Sequence, residues 1–422
     1  MKTVPKSLRL QIGIFGRMNV GKSSFLNMVS GQDVSITSDI PGTTTDVVEK
    51  VMELLPVGPV VFLDTAGLDD GSLLGQKRVK KTEKIFNRSE IIILLVEAGI
   101  WSDYEESIIG EAKRRETPVI IVVNKVDIEY PSEDFLSLVS AKSEGYQLII
   151  STDLKSRDKY LKLLKDKILE LSPEDFRNPP PIISDLIPKG GIAILIIPID
   201  LEAPKGRIIL PQVQTIRDAL DGDQIAMIVK ESEYKQALKS LKREPDIVVC
   251  DSQVVDFMID NTPLNVNATT FSTLFSRYKG DITEEIKGVF AIDRLKPEDK
   301  ILIAEACSHH PIEDDIGRVK IPKWLKNYLG FDLKWDSTAG RDYPDNLSDY
   351  KMIIHCGSCM ITRYEMLGRV QRAIENNIAI SNYGIVISYL KGVLERVLSP
   401  IPQAKELFVK YREEVRNENV YR

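Results

Sequence analysis

At 422 residues the chain is longer than one hydrophobic core can organise and is expected to divide into two to four domains. Its 43% apolar and 28% charged residues are those of an ordinary globular protein, and a net charge of −6 with a pI near 5.5 argues against a broad basic face for nucleic acid. Four cysteines are too few for a disulfide scaffold and fit a reducing cytoplasm; apolar runs such as IIILLV and GIAILIIPI fall short of the roughly 20 residues of a membrane helix, so neither a membrane span nor export is expected.

Leu10 to Phe15 is a short apolar run followed by a glycine-bounded loop and by Lys22 to Val29 at helical spacing, which reads as strand, phosphate loop and helix. Gly16-Arg17-Met18-Asn19-Val20-Gly21-Lys22-Ser23 fits G-x-x-x-x-G-K-[ST] in full. In this pattern backbone N–H groups close around phosphates, Lys22 neutralises their oxygens and the Ser23 hydroxyl ligates Mg2+. The predicted nucleotide-binding set therefore runs through Asn19, Val20, Gly21, Lys22, Ser23 and Ser24.

Val60 to Leu63, Ile91 to Val96 and Val119 to Val123 are β-branched runs separated by helix-forming stretches, the pattern of parallel strands buried on both faces. Asp64-Thr65-Ala66-Gly67 closes the first of them, with the Asp64 carboxylate on the magnesium side and the Gly67 amide placed to sense a γ-phosphate. Asn124-Lys125-Val126-Asp127 follows the last, where the Asp127 carboxylate accepts from the N1–H and exocyclic amine of guanine, a donor pair adenine lacks, and Lys125 is expected over the purine. Ser140-Ala141-Lys142 is expected to complete the base site through the Ala141 amide. Together these elements select GTP over ATP.

On these motifs the segment resembles the G proteins, more closely the Era/TrmE-like class, whose phosphate loop reads G-R-x-N-x-G-K-S and whose switch I reads P-G-T-T. The resemblance makes Thr44, in Pro41-Gly42-Thr43-Thr44-Thr45-Asp46, the threonine that senses magnesium and γ-phosphate, while Thr45 stands where many relatives carry arginine. It also implies K+ held beside the phosphates by Asn19. Lys22, Thr44, Asp64 and Gly67 form the expected catalytic set. Leu68 follows where a Ras-like enzyme carries its water-orienting glutamine, so hydrolysis is expected to be slow unless Asp69, Asp70 or a partner assists.

Asp158 to Leu171 reads as the last helix of a domain at 1–176, before Pro179-Pro180-Pro181 forbids further helix. From Gly191 a strand and helix pattern resumes in a small α/β domain placed at 177–265, with Cys250 in its core. In the third domain, 266–422, ILIAEA leads into Cys307 and MIIH into Cys356, with helices at Val370 to Asn376, Tyr389 to Val397 and Pro402 to Val415. The predicted fold class is α/β, three consecutive α/β domains of which the first is a doubly wound P-loop GTPase fold.

All three histidines and three of the four cysteines fall between positions 307 and 359. Cys307, Cys356 and Cys359 are expected to bind metal at strand ends, and Glu305, His309 and His355 compete for a fourth position. His310, before Pro311, reads as a loop residue. Spacing alone leaves structural zinc and an iron–sulfur cluster both open.

With Cys307-Ser308-His309 and His355-Cys356-Gly357-Ser358-Cys359 in place, the whole chain resembles the [FeFe]-hydrogenase maturation GTPases. The resemblance implies a [4Fe-4S] cluster on the three cysteines with an exchangeable fourth site. It also implies a transient di-iron precursor bearing CO and cyanide, delivery to apo-[FeFe]-hydrogenase, radical-SAM maturases as loading partners, and a homodimer through the middle domain. The alternative is a GTP-dependent ribosome or RNA factor with a structural zinc, which the acidic pI disfavours.

Overall fold

In the computed structural model the chain forms two compact units, Met1–Pro179 and Pro180–Arg422. The structure describes residues 5–31, 48–64, 82–150, 157–199, 205–307, 315–340, 343–344 and 346–420.

The first unit is built on strands β1 (Leu10–Gly16), β2 (Val48–Leu54), β3 (Gly58–Asp64), β4 (Ile91–Glu97), β5 (Val119–Asn124) and β6 (Gln147–Ile149). They form a 6-stranded sheet in the order β2-β3-β1-β4-β5-β6, parallel except for β2. Helices α1 (Lys22–Ser30), α2 (Asp103–Arg114), α3 (Glu133–Lys142) and α4 (Arg157–Leu171) accompany it. Side chains alternate along each strand. Leu10, Ile12, Ile14, Ile91 and Ile93 pack on one face with Phe25 of α1 and Leu164 of α4, whereas Phe15, Ile92 and Leu94 pack on the other with Ile108 of α2. Both faces are covered, which is why these strands read as unbroken apolar runs. β1 lies between β3 and β4, so the chain departs to either side of it and leaves a crevice at its carboxyl end.

The second unit holds two 4-stranded sheets, each all parallel. One comprises β7 (Ile192–Ile196), β8 (Ile225–Val229), β9 (Ile247–Cys250) and β10 (Asn267–Thr270) in the order β10-β9-β7-β8. The other comprises β11 (Lys300–Ala304), β12 (Lys334–Thr338), β13 (Met352–His355) and β14 (Ala379–Asn382) in the order β12-β11-β13-β14. Its main helices are α5 (Leu210–Asp221), α6 (Glu231–Ser240), α7 (Phe271–Lys279), α8 (Ile282–Val289), α9 (Ile321–Leu329), α10 (Arg363–Glu375), α11 (Tyr383–Leu390) and α12 (Pro402–Val420). Ile194, Val248 and Cys250 of one sheet and Ile301, Ile303 and Ile354 of the other face a shared core filled by Ile385, Val386 and Ile387 of α11.

Two features differ from the sequence expectation. The middle sheet continues past residue 265, because Thr269 and Thr270 pair in register with Val249 and Cys250, and Phe271, Leu274 and Phe275 of α7 then cover its outer face. The helix expected from Tyr389 to Val397 is broken: α11 ends at Leu390, Gly392 turns the chain at φ 73°, and a short turn follows at Leu394–Val397. α11 is buried from Tyr383 to Ser388, so no polar face marks its period. No helix of the described residues is long and apolar enough to cross a membrane.

Candidate functional sites

The phosphate loop leaves β1 at the crevice and enters α1. Gly21 precedes the helix at φ 96°, where an added Cβ would sit 2.4 Å from Asn124 Nδ2. Glycine is required there by both backbone angle and space. Lys22 is 7% exposed and bends over the loop, its Nζ donating to the Gly16 carbonyl at 2.7 Å and the Arg17 carbonyl at 2.8 Å. The ammonium thus lies beside the N-terminus of α1, where unpaired N–H groups and the helix dipole favour an anion. Ser23 and Ser24 open α1 on its exposed side; Asn19 is exposed at φ 62°, and Val20 is buried. Asp64, 1% exposed, ends β3 and pairs in register with Ile14 of β1, which places its carboxylate next to the loop's strand.

Asn124 ends β5 fully buried, and its Nδ2 donates to the Val20 carbonyl at 2.9 Å. The base-reading segment is therefore strapped to the phosphate loop. Lys125 forms an ion pair with Glu97 at 2.7 Å, and Asp127 is exposed in the turn that follows. Ser140, Ala141 and Lys142 lie elsewhere than expected: they form the last turn of α3, where the Ala141 amide is committed to the helix and Lys142 pairs with Glu106 at 2.7 Å. The apolar stretch before them is a helix face. The strand that belongs to this part of the fold, β6, comes afterwards, and the segment that follows it, 151–156, lies outside the described residues. Thr44 and Gly67, with Pro41–Asp46 and Leu68–Asp70, also lie outside them.

A second tether escaped the sequence reading. Arg17 Nε and Nη2 each donate to Glu105 at 2.7 Å, Nη2 also donates to Ser102 Oγ, and the Gly16 N–H donates to the Tyr104 hydroxyl at 3.3 Å. Burial alone would raise the Glu105 carboxyl, but hydrogen bonds from Arg17 and Ser102 outweigh it and hold the group below the usual range. Ser102 and Glu105 form the capping box of α2, so the S-x-x-E signature was the available signal.

In the second unit β11 and β13 are neighbours, with Ala304 opposite His355, and the chain runs to β12 on one side and β13 on the other. Cys307 and Cys356 emerge at this switch point, where open parallel sheets place their ligands. Cys356 Sγ accepts from the Ala306 N–H at 3.1 Å, and the Cys307 carbonyl accepts from the Gly340 N–H at 3.2 Å. All four cysteines are free thiols. Burial first, then Cys356 and Cys359, pushes the Cys307 thiol up; burial with Cys356 takes Cys359 up to about 12. The three thiols are close enough to feel one another, yet among the described residues no group of three or more His, Cys, Asp or Glu side chains is gathered tightly enough to hold a metal ion.

The three candidate fourth donors separate. His355 is fully buried, and Arg369 Nη1 donates to its Nε2 at 2.9 Å. Arginine has no acceptor, so Nε2 must accept and Nδ1 carries the proton, which it donates to the Cys356 carbonyl at 3.0 Å. Burial and the Arg369 charge hold the ring neutral, with its pKa lowered to about 3. Both nitrogens are thus engaged, and His355 fixes the Cys356 backbone. Glu305, 3% exposed, accepts from Arg318 Nη2 at 3.2 Å. His309 lies outside the described residues, as does His310. Arg318 and Arg369 carried no sequence signal, since basic residues at such separations are ordinary.

Three family models match the chain. "50S ribosome-binding GTPase" covers residues 11–125, "Hydrogen maturase F dimerization domain" covers 182–280 and "Hydrogen maturase F tetramerization domain" covers 283–400. The tRNA modification GTPase MnmE of Synechococcus sp. (strain JA-3-3Ab) is 38% identical over 124 residues, 28% of this chain and 26% of the relative. GTPase Der of Wolinella succinogenes is 31% identical over 170 residues, 38% of this chain and 36% of the relative. A crystal structure of Era from Aquifex aeolicus bound to GDP.AlF4- aligns at a TM-score of 0.32 and 30% identity, covering 39% of this chain and 57% of that one. The chain thus spans well under half the length of these two curated relatives. With a GTPase domain followed by both hydrogen maturase F domains, which together span more than half of the 422 residues, the chain belongs to the hydrogen maturase F family of GTPases.

Proposed function

We propose that the protein is a GTP-hydrolysing carrier for hydrogenase active-site assembly, holding a [4Fe-4S] cluster on Cys307, Cys356 and Cys359 and delivering a di-iron CO- and cyanide-bearing precursor to apo-[FeFe]-hydrogenase. The observation that carries the reading is that β11 and β13 are neighbours, so the segments bearing Cys307 and Cys356 to Cys359 leave adjacent strand ends, in a chain with both hydrogen maturase F domains. Three thiolates are soft donors suited to an iron–sulfur cluster. The buried Tyr383 hydroxyl, at the next strand end and without a hydrogen-bond partner among the described residues, is a further sign that the site is built for a guest. When bound, the cluster would supply an iron with an exchangeable position. Glu305, released from Arg318, and His309 are the candidate donors for it, while His355 and the Ala306 amide fix Cys356.

In the first unit Lys22 and the α1 N-terminus would hold the phosphates of GTP, Ser23 and Asp64 its Mg2+, and Asp127 the guanine. Thr44 and Gly67 would complete the switches. K+ beside Asn19 would raise an otherwise slow turnover; equal rates in potassium and sodium salts remove that part. Radical-SAM maturases would load the precursor, and the family domains support self-association, with a dimer through the middle domain. Anaerobic reconstitution with iron and sulfide tests the cluster: a brown protein with a reduced-state EPR signal, lost in Cys356→Ala, is expected, and a colourless protein with one stoichiometric zinc overturns it.

A further inference from the structure

Strands β11, β13 and β14 end side by side, with Ala304, His355 and Asn382 in register. Glu305 and Cys307 follow the first end, and Cys356 and Cys359 the second. Tyr383 follows the third, as the first residue of α11 behind its Asn382 cap. The Tyr383 hydroxyl is buried and has no hydrogen-bond partner among the described residues. An unmade bond of this kind is costly, and native proteins rarely leave one in place without a use.

The surroundings say what the hydroxyl is for. Tyr383 opens α11 at the end of β14, beside the strand ends that Glu305, Cys307 and Cys356 follow, and an unpartnered phenol O–H there is a donor. Space for it is made by Gly317 in the π-helical turn Ile316–Lys320, where an added Cβ would lie 2.1 Å from the Tyr383 hydroxyl and 2.8 Å from Glu305 Oε1. Phenol and carboxylate therefore both border the space that the missing side chain of Gly317 leaves. π-Turns recur at functional positions for this reason: the extra residue lets a backbone step aside.

We propose that Tyr383 is a positioning residue of the metal site, whose hydroxyl donates a hydrogen bond to a sulfur of the cluster held by Cys307, Cys356 and Cys359 and so raises its reduction potential. Hydrogen bonds to cluster sulfurs favour the more negative, reduced state. The Ala306 N–H already serves Cys356 Sγ in this way from the backbone. Tyr383 adds a donor that a single substitution can remove without changing the ring.

The proposal rests on the cluster reading above, and one experiment separates the two. Full-length protein, reconstituted anaerobically with ferrous iron and sulfide, is titrated with dithionite while the reduced cluster is followed by EPR. Tyr383→Phe is expected to hold the same iron and sulfide as wild type, with a more negative midpoint potential and an altered EPR line shape. Full cluster content with an unchanged potential overturns the role of Tyr383, whereas wild-type protein that takes up no iron overturns the reading beneath it. Should Tyr383→Phe fail to load, Gly317→Ala, which drives a methyl against the hydroxyl, replaces it: a more negative midpoint supports the proposal and an unchanged one overturns it.

Discussion

The Asn124 side chain donates to the Val20 carbonyl at 2.9 Å, joining residues 124–127 to the loop between β1 and α1. Both groups are buried, so the bond is made in a low-dielectric setting and cannot be replaced by water without rearrangement. Asn124→Ala leaves the Val20 carbonyl without this partner and frees the loop, at about 1–3 kcal/mol, or roughly a five- to 150-fold loss of GDP and GTP affinity. Fluorescent-nucleotide titration measures it; an unchanged Kd would show that the strap plays no part in binding.

Arg17 and Glu105 form the second tether, and their removal is asymmetric. Arg17→Met leaves the Glu105 carboxylate, 1% exposed, without its bidentate partner, whereas the added substitution Glu105→Gln removes that charge. The single variant is expected to lower the unfolding free energy of the first unit by about 1–3 kcal/mol, and the double variant to recover part of the loss. Additive losses in denaturant titrations would contradict the pairing.

Much of this was legible in the sequence. The four central strands of the first sheet, β3, β1, β4 and β5, the phosphate loop and the two cysteine segments announce themselves through unbroken apolar runs and fixed spacings, whereas the edge strands β2 and β6, short or partly exposed, carried no such signal. Ser140-Ala141-Lys142 misled because a short motif after an apolar stretch looks alike whether the stretch is a strand or the buried side of α3. The Arg17–Glu105 tether, the Arg369–His355 bond and the Gly317 gap are pairings across 88, 14 and, for Tyr383, 66 positions, which only the folded chain brings together.

Glu285 is a buried carboxyl that the proposed function does not use. It is 1% exposed, accepts from Ser276 Oγ, and burial raises its pKa to about 8. A carboxyl that ionises near 4.5 when unfolded and near 8 when folded binds its proton more tightly in the native state. Its contribution to stability is whole below pH 4.5 and is lost as pH rises towards 8, at up to about 1.4 kcal/mol per pH unit. Glu285→Gln keeps the neutral form at every pH. Thermal unfolding at pH 6 and pH 9 should show the wild type losing stability relative to the variant; parallel losses would contradict the raised pKa.

His355 and the cysteines should respond differently to mutation. With Nε2 accepting from Arg369 and Nδ1 donating to the Cys356 carbonyl, His355 orients a ligand segment without offering a lone pair. His355→Gln is expected to keep most of the reconstituted iron and sulfide, while Cys307→Ala, Cys356→Ala and Cys359→Ala each lose most of it. Metal and sulfide analysis decides; a histidine variant as empty as the cysteine variants would make His355 a ligand.

Carriage of a hydrogenase precursor on the site formed by Cys307, Cys356 and Cys359 is the proposed role of the protein. The most direct measurement adds purified, precursor-loaded protein to apo-[FeFe]-hydrogenase and records hydrogen evolution. Activation by the wild type and none by Cys307→Ala is the predicted result. A wild-type protein with its cluster intact that leaves the hydrogenase inactive would contradict the account.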